Sequence, residues 1–262
     1  MASPVISTKN LTIGYRSKQK EIVIQEKLDL DVIPGELICL IGPNGCGKST
    51  LLHTLSGLIS PLCGQVYINN QNQKTLSLHK RAKQMSFVLT DELNIPLMTV
   101  YELVSLGRNP YTGWRGNLQS EDTDIIENSL KQVKLNGFEQ RTVVSLSDGE
   151  KQRASIAKAL AQDTPIILLD EPTAHLDINN RIEILILLAR LAHETKKAIL
   201  LSTHELELAL ELADNIWLMD NKRMNVGKPD NLINNGLIQE IFHGKSYAFD
   251  EDEHRFIIKY NH

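Results

Sequence analysis

Gly42-Pro43-Asn44-Gly45-Cys46-Gly47-Lys48-Ser49 has the spacing G-x-x-x-x-G-K-[ST], a pattern suited to holding phosphate. Its glycines let the backbone curl until successive N–H groups converge on phosphate oxygens. The helix that follows adds the partial positive charge of its N-terminus. The Lys48 ammonium reaches β- and γ-phosphate oxygens, the Ser49 hydroxyl is a ligand for Mg²⁺, and Thr50 shares the same turn. The plain alternative is a chance match in a strand–turn–helix. Context disfavours it, since a buried-strand pattern precedes the loop and a helical one follows.

A pair of carboxylates is the second candidate. Ile166-Ile167-Leu168-Leu169 reads as a core strand ending in Asp170-Glu171, and open α/β sheets bind ligands at that carboxyl edge. Asp170 is placed to hold Mg²⁺ through water. Glu171, one residue on, points elsewhere and can polarise an attacking water. Alone, the pair reads equally well as a solvated strand end before Pro172. Beside a phosphate loop, it reads as the catalytic half of a nucleotide site.

Those residues need a scaffold. Leu28, Leu30 and Val32 alternate with Asp29 and Asp31, the period of a half-buried strand, and Pro34-Gly35 then turns the chain. The apolar run Leu37–Ile41 suits a strand buried on both faces. Leu51, Leu52, Leu55 and Leu58 follow at helical spacing, ended by Gly57 and Pro61, and alternation returns at Gln65–Asn69. From about Val100 to Ala161 the signals are mostly helical, with loop material at Gly107–Gly116. Strand patterns at Ile166–Leu169, Ala198–Leu201 and Ile216–Met219 are separated by helical stretches at Asn179–Glu194 and Glu205–Ala213. This order predicts an α/β fold, a parallel-sheet P-loop core carrying an inserted helical lobe. Expected boundaries are 5–245 for the domain, with the lobe at about 95–160, and 246–262 for a C-terminal appendage. Within that appendage Asp250–Glu253 reads as a solvated turn.

The 262 residues, 42% hydrophobic and 23% charged, match an ordinary soluble protein with core enough for one large domain or two unequal lobes. A net charge of −4 argues against general nucleic-acid binding. Cys39, Cys46 and Cys63 have neither disulfide nor metal spacing and fit a reducing cytoplasm. Met1–Ser7 lacks a signal-peptide pattern, and the longest apolar run, Ile184–Ala189, is stopped by Arg190, far too short to cross a bilayer. Any membrane role must run through another protein's helices.

Leu146-Ser147-Asp148-Gly149-Glu150-Lys151-Gln152-Arg153 lies between the phosphate loop and the carboxylate pair. Ser147 and Glu150 form an S-x-x-E capping box, a sufficient local explanation if the segment stood alone. In this position it resembles the signature segment of the ATP-binding cassette family, and the resemblance covers nearly the whole chain. Tyr15, after Ile13-Gly14, resembles that family's adenine-stacking aromatic residue. Ala174-His175-Leu176-Asp177 resembles its loop between cassettes, and His204, after Ser202-Thr203, its histidine at the γ-phosphate. The resemblance implies the ABC ATPase fold, with an N-terminal antiparallel β portion, and ATP hydrolysis with Mg²⁺. It also implies a dimer, each ATP lying between one chain's phosphate loop and Ser147 and Gly149 of a second copy.

Gly107-Arg108-Asn109-Pro110-Tyr111, with Trp114 nearby, resembles a segment of importers for iron-siderophore complexes, haem or cobalamin. Its local reading is that Gly107 ends a helix and Pro110 prevents a restart. The implied role is a peripheral subunit at the cytoplasmic face of the inner membrane that powers polytopic permease subunits. Alternatives are a soluble cassette ATPase of DNA repair or translation, disfavoured by the single cassette and the acidic balance, and the motor of an exporter. Two positions depart from the family pattern. Asp148-Gly149-Glu150 stands where Gly-Gly-Gln is usual, and Thr90 stands where a glutamine senses Mg²⁺. Thr90 is expected to make that contact through water, with Asp91 and Glu92 as alternative sources of the oxygen.

Overall fold

The computed structural model describes residues 3–17, 20–89, 96–113, 116–220, 223–242, 247–250, 253 and 255–258. Thr90, Asp91, Glu92 and Trp114 lie outside the described residues. The main sheet has the order β11 (Met224–Gly227), β10 (Asn215–Met219), β4 (Leu37–Ile41), β9 (Ala198–Ser202), β8 (Ile166–Leu169), β7 (Met85–Val88). It is parallel except at β11. All five residues of β4 are buried, as expected of a central parallel strand covered on both faces. The two-residue period divides them. Ile38 and Leu40 pack with Leu51, Leu52 and Leu55 of α1 (Lys48–Ser56), while Leu37, Cys39 and Ile41 share a core with Ile184, Leu188 and Leu191 of α7 (Ile178–Thr195).

A second, antiparallel sheet runs β2 (Glu21–Leu28), β1 (Ile6–Arg16), β5 (Cys63–Ile68), β6 (Gln71–Asn72), with β3 (Asp31–Val32) also paired to β1. Leu28, Leu30 and Val32 are all buried, as their alternation predicts, yet they do not form one strand. Leu28 pairs with Leu11 and Val32 with Ile6 in separate ladders. The Thr8 hydroxyl spans the break, donating to Leu28 O and accepting from Leu30 N, both at 2.8 Å. Helix α1 stops at Gly57, whose left-handed φ of +77° lets its N–H cap the final carbonyls. Leu58 therefore falls beyond the helix and is exposed, not on its apolar face.

After α2 (Leu78–Ala82) and β7, the chain builds a helical lobe from α3 (Val100–Ser105), α4 (Asn109–Thr112), α5 (Ser120–Gln132) and α6 (Asp148–Ala161) before returning at β8. The loop expected from Gly107 is instead helical as far as Thr112. A 3₁₀ turn, Leu106–Arg108, leads directly into α4. Pro110 sits in the first turn of α4, where the missing N–H has no helical partner to lose. Gly107 is there for close approach, since a Cβ would lie 2.3 Å from Lys158 O on α6. The chain closes with α8 (Leu206–Leu212), α9 (Pro229–Asn234), α10 (Leu237–Ile241) and the hairpin β12 (Tyr247–Asp250), β13 (Arg255–Ile258). Glu253 N donates to Asp250 Oδ1 within that hairpin's turn.

Candidate active site

The glycine-rich segment joins β4 to α1 at the carboxyl edge of the main sheet. Gly47 precedes the helix at φ +109°, and a Cβ there would fall 2.3 Å from Ile24 Cγ2, so both backbone and space require glycine. The first intrahelical bond is Leu51 N to Gly47 O at 2.9 Å. Helix geometry leaves the preceding N–H groups, those of Lys48 to Thr50, as an anion cradle. Lys48 is buried, with Nζ donating to Gly42 O at 2.9 Å and to Pro43 O at 3.3 Å. These carbonyls hold the ammonium within the curl of the loop.

Asp170 continues β8, its N–H donating to Val88 O, and is buried. Its Oδ1 accepts from Ser49 Oγ at 3.1 Å and from Ser202 Oγ at 2.6 Å. His53 Nε2, a buried nitrogen with no hydrogen-bond partner, lies 3.8 Å from Oδ2, with its ring against Phe87. Clustered hydroxyl and carboxylate oxygens are the donor chemistry that a hard cation such as Mg²⁺ prefers. The expected metal residues Ser49 and Asp170 therefore fit that ion.

Glu171 takes a left-handed φ of +45°. Its N–H donates to Ser202 Oγ at 2.8 Å, and its Oε1 meets His204 Nε2 at 2.7 Å. A groove of about 280 Å³ holds Tyr15, Asn44, Lys48, Ser49, Thr50 and Glu171 along one wall or another. Tyr15 is half-exposed there, anchored by its hydroxyl to Thr50 Oγ1 at 2.8 Å. The structure thus brings together the phosphate loop, the aromatic residue, both carboxylates and the histidine. Beyond His204, Arg181 ties Glu205 (2.9 Å) to the carbonyl of Leu176 (2.7 Å), linking the histidine's loop to Ala174–Asp177.

Ser147 and Gly149 open α6, and neither is among the described residues lining the groove. The capping box is present. Ser147 Oγ accepts from Glu150 N at 3.3 Å, and Glu150 Oε2 accepts from Ser147 N at 2.8 Å. Asp148 is exposed and paired with Lys151 at 3.4 Å. Sequence reasoning missed Ser202, whose hydroxyl serves both carboxylate residues. The available signal was a serine closing a strand pattern two residues before His204.

A family model described as ABC transporter matches residues 25–174. The petrobactin import ATP-binding protein FpuD of Bacillus anthracis is 38% identical over 238 residues, covering 90% of this chain and 86% of that protein. Among solved structures, the fold is similar to a metal-chelate type ABC transporter in an inward-facing conformation, with TM-score 0.81, 26% identity and 98% of each chain covered. It is also similar to an ATP-binding cassette in a dimeric post-hydrolysis state bound to ADP and Pi, with TM-score 0.72 and 31% identity over 86% of this chain and 98% of that one.

Proposed function

We propose, on the premise that this chain belongs to the ABC transporter family, that it is the ATP-hydrolysing subunit of an importer for metal chelates of the siderophore class. The chain is an ATP hydrolase of the ABC type. The observation that carries the catalytic reading is the Glu171–His204 contact of 2.7 Å beside the phosphate-loop groove. Gly42 to Thr50 hold the phosphates, and Tyr15 stacks on the adenine. Ser49 and Asp170 would hold Mg²⁺, which would supply charge neutralisation at the transferred phosphoryl group. Glu171 takes the proton of the attacking water, and His204 holds Glu171 and the γ-phosphate in register. Thr90 contributes through water on the metal side.

Ser147 and Gly149 lie away from their own chain's groove, which supports a second copy as the partner that completes each site. The cargo class follows from similarity to FpuD, an ATP-binding protein of petrobactin import, and to the metal-chelate type transporter. No helix among the described residues is long and apolar enough to cross a membrane. The import role of FpuD and the metal-chelate type transporter support polytopic permease subunits as partners, at the cytoplasmic face, and the net charge of −4 gives no reason to expect a nucleic-acid partner.

Glu171→Gln tests the core of this reading. The amide cannot accept the water's proton, so hydrolysis should fall by ~10²–10⁴-fold while ATP binding persists and an ATP-bound dimer accumulates on gel filtration. Turnover near wild type would overturn the assignment. For the cargo, disrupting the gene should abolish uptake of a ferric siderophore, restored by the wild-type chain and not by the Glu171→Gln variant. Co-purification with ribosomes or DNA, and not with a permease, would overturn the import reading.

A further inference from the structure

We infer that Asn180 is a positioning residue coupling the start of α6 to the loop before α7, and that residue 149 is glycine to make room for it. The inference rests on the proposed two-copy site, in which Ser147 and Gly149 face the partner's nucleotide. Gly149 lies in the first turn of α6, where alanine is the better helix former. A Cβ at this position would fall 2.3 Å from Asn180 Oδ1 and 2.6 Å from Asn180 Cγ. Asn180 is tethered to the residue that ends the loop before α7. Its backbone N–H donates to Asp177 Oδ1 at 2.9 Å, and its Nδ2 donates to Asp177 Oδ2 at 2.6 Å.

Asp177 ends the Ala174–Asp177 loop and caps α7. One turn further along, Arg153 of α6 pairs with Glu183 of α7. The two helices therefore meet at two points, and the first is main chain against a tethered amide. Close-packed contacts of this kind transmit displacement instead of absorbing it. A tilt of α6 toward α7 pushes Asn180 and, through its two bonds, Asp177. The next residue, Arg181, holds both Leu176 O and Glu205, beside His204. Seating of α6 on a partner's nucleotide is thereby felt at this chain's own catalytic loop.

A double-mutant cycle tests the coupling, carried out in Glu171→Gln so that ATP-driven dimerisation can be read at equilibrium. Gly149→Ala should weaken dimerisation by about ten-fold, within the range of coupled neighbours. Fluorescent ATP-analogue affinity of the monomer should stay unchanged, and amide exchange across residues 174–181 should speed up. Asn180→Ala should weaken dimerisation by only about two- to three-fold. The double variant Gly149→Ala/Asn180→Ala should return to the Asn180→Ala level, because the obstructing amide is gone. A double variant as defective as Gly149→Ala would show that the glycine serves the partner's nucleotide alone, overturning the inference. If Glu171→Gln itself forms no ATP-dependent dimer, the two-copy reading falls. Amide exchange in Gly149→Ala still decides the contact then, and unchanged protection at residues 174–181 overturns it. Should Gly149→Ala fail to fold, Asn180→Leu, whose bulk meets Gly149 without the amide's bonds, must reproduce the loss. Undiminished dimerisation of that variant also overturns the coupling.

Discussion

His204 Nε2 lies 2.7 Å from Glu171 Oε1, and Glu171 is gripped from its other side by the Ser202 hydroxyl on its N–H. A left-handed backbone on a glutamate costs about 1–3 kcal/mol and persists only where its surroundings hold it. The result separates two adjacent carboxylates. Asp170 is buried among hydroxyls, while Glu171 turns into the groove beside the phosphate loop. Different environments are what allow neighbouring carboxylates to take different roles.

Removing the imidazole tests that grip. His204→Ala leaves Glu171 without its side-chain partner, and lost positioning should lower kcat by about 10²-fold. Nucleotide affinity should change little, because Lys48, Ser49 and Tyr15 are untouched. Steady-state hydrolysis and nucleotide titration separate the two effects. An unchanged kcat would mean that the Glu171–His204 contact plays no part in turnover.

Ser202 gives a different signature. Its hydroxyl donates to Asp170 Oδ1 and accepts from Glu171 N, so one oxygen orients both carboxylate residues. Ser202→Ala takes the acceptor from the partly buried Glu171 N–H and one donor from the buried Asp170 carboxylate, at a cost of about 1–3 kcal/mol. The variant should melt earlier and need more Mg²⁺ for half-maximal hydrolysis, whereas Ser202→Thr should retain the wild-type Mg²⁺ dependence. Identical Mg²⁺ curves for wild type and alanine variant would remove Ser202 from the metal side of the site.

The contrast between Ser202 and Lys48 shows what the sequence makes legible. The phosphate loop is local: spacing along the chain dictates its geometry, so Gly42 to Thr50 and the strand–loop–helix around them are readable in order. Asp170 and Glu171 are readable because an apolar strand delivers them to a sheet edge. Ser202 acquires its role only from register, where β8 and β9 run parallel with Leu169 opposite Leu201. His53 likewise meets Asp170 only through the packing of α1. Long-range contacts also explain the misread backbone. Thr8 holds the break between Leu28 and Val32, and Gly107 with Pro110 stays helical because α6 lies against it.

Glu150 invites a test with two opposite signs. Its carboxylate accepts from Ser147 N at the positive end of α6, which stabilises the monomer by about 0.3–1 kcal/mol. In the proposed two-copy site the same charge would face phosphate. At ~8 Å and an effective dielectric of ~20–40, repulsion is on the order of 1–2 kcal/mol per unit charge. Glu150→Gln keeps an acceptor for the capping box, so with Asp148→Gly it should strengthen ATP-driven dimerisation, most clearly at low salt. The monomer should meanwhile lose slight stability. Dimerisation that does not respond at any ionic strength would show both carboxylates turned away from the nucleotide.

Arg108 should matter for the lobe's integrity, and its effect should depend on pH. The side chain is buried, with Nε donating to Asp122 Oδ1 and Nη1 to Ala161 O at the end of α6, each at 2.8 Å, and the guanidinium lies 4.0 Å from the Tyr111 ring centre. Asp122 in turn accepts from Gln119 N at 2.9 Å. That backbone bond holds the Asp122 carboxyl below its ordinary range, with the Arg108 bond and charge acting the same way and burial opposing them. Arg108→Ala leaves a buried carboxylate without its cation and a helix-end carbonyl without a donor. The cost should be about 3–5 kcal/mol at neutral pH, read from urea midpoints. Arg108→Lys keeps the charge but cannot fork between Asp122 and Ala161, so it should fall in between. A carboxyl with a depressed folded value contributes stability above its unfolded value of about 3.9 and loses it as pH falls through the folded one. The gap between wild type and Arg108→Ala should therefore narrow on acidification from pH ~7 to pH ~3, as the unfolded chain and the variant's unpaired Asp122 take up protons before the wild-type folded carboxyl does. A gap of the same size at both pH values would show that Arg108 acts through packing on Tyr111 and α6 alone, with no electrostatic hold on Asp122.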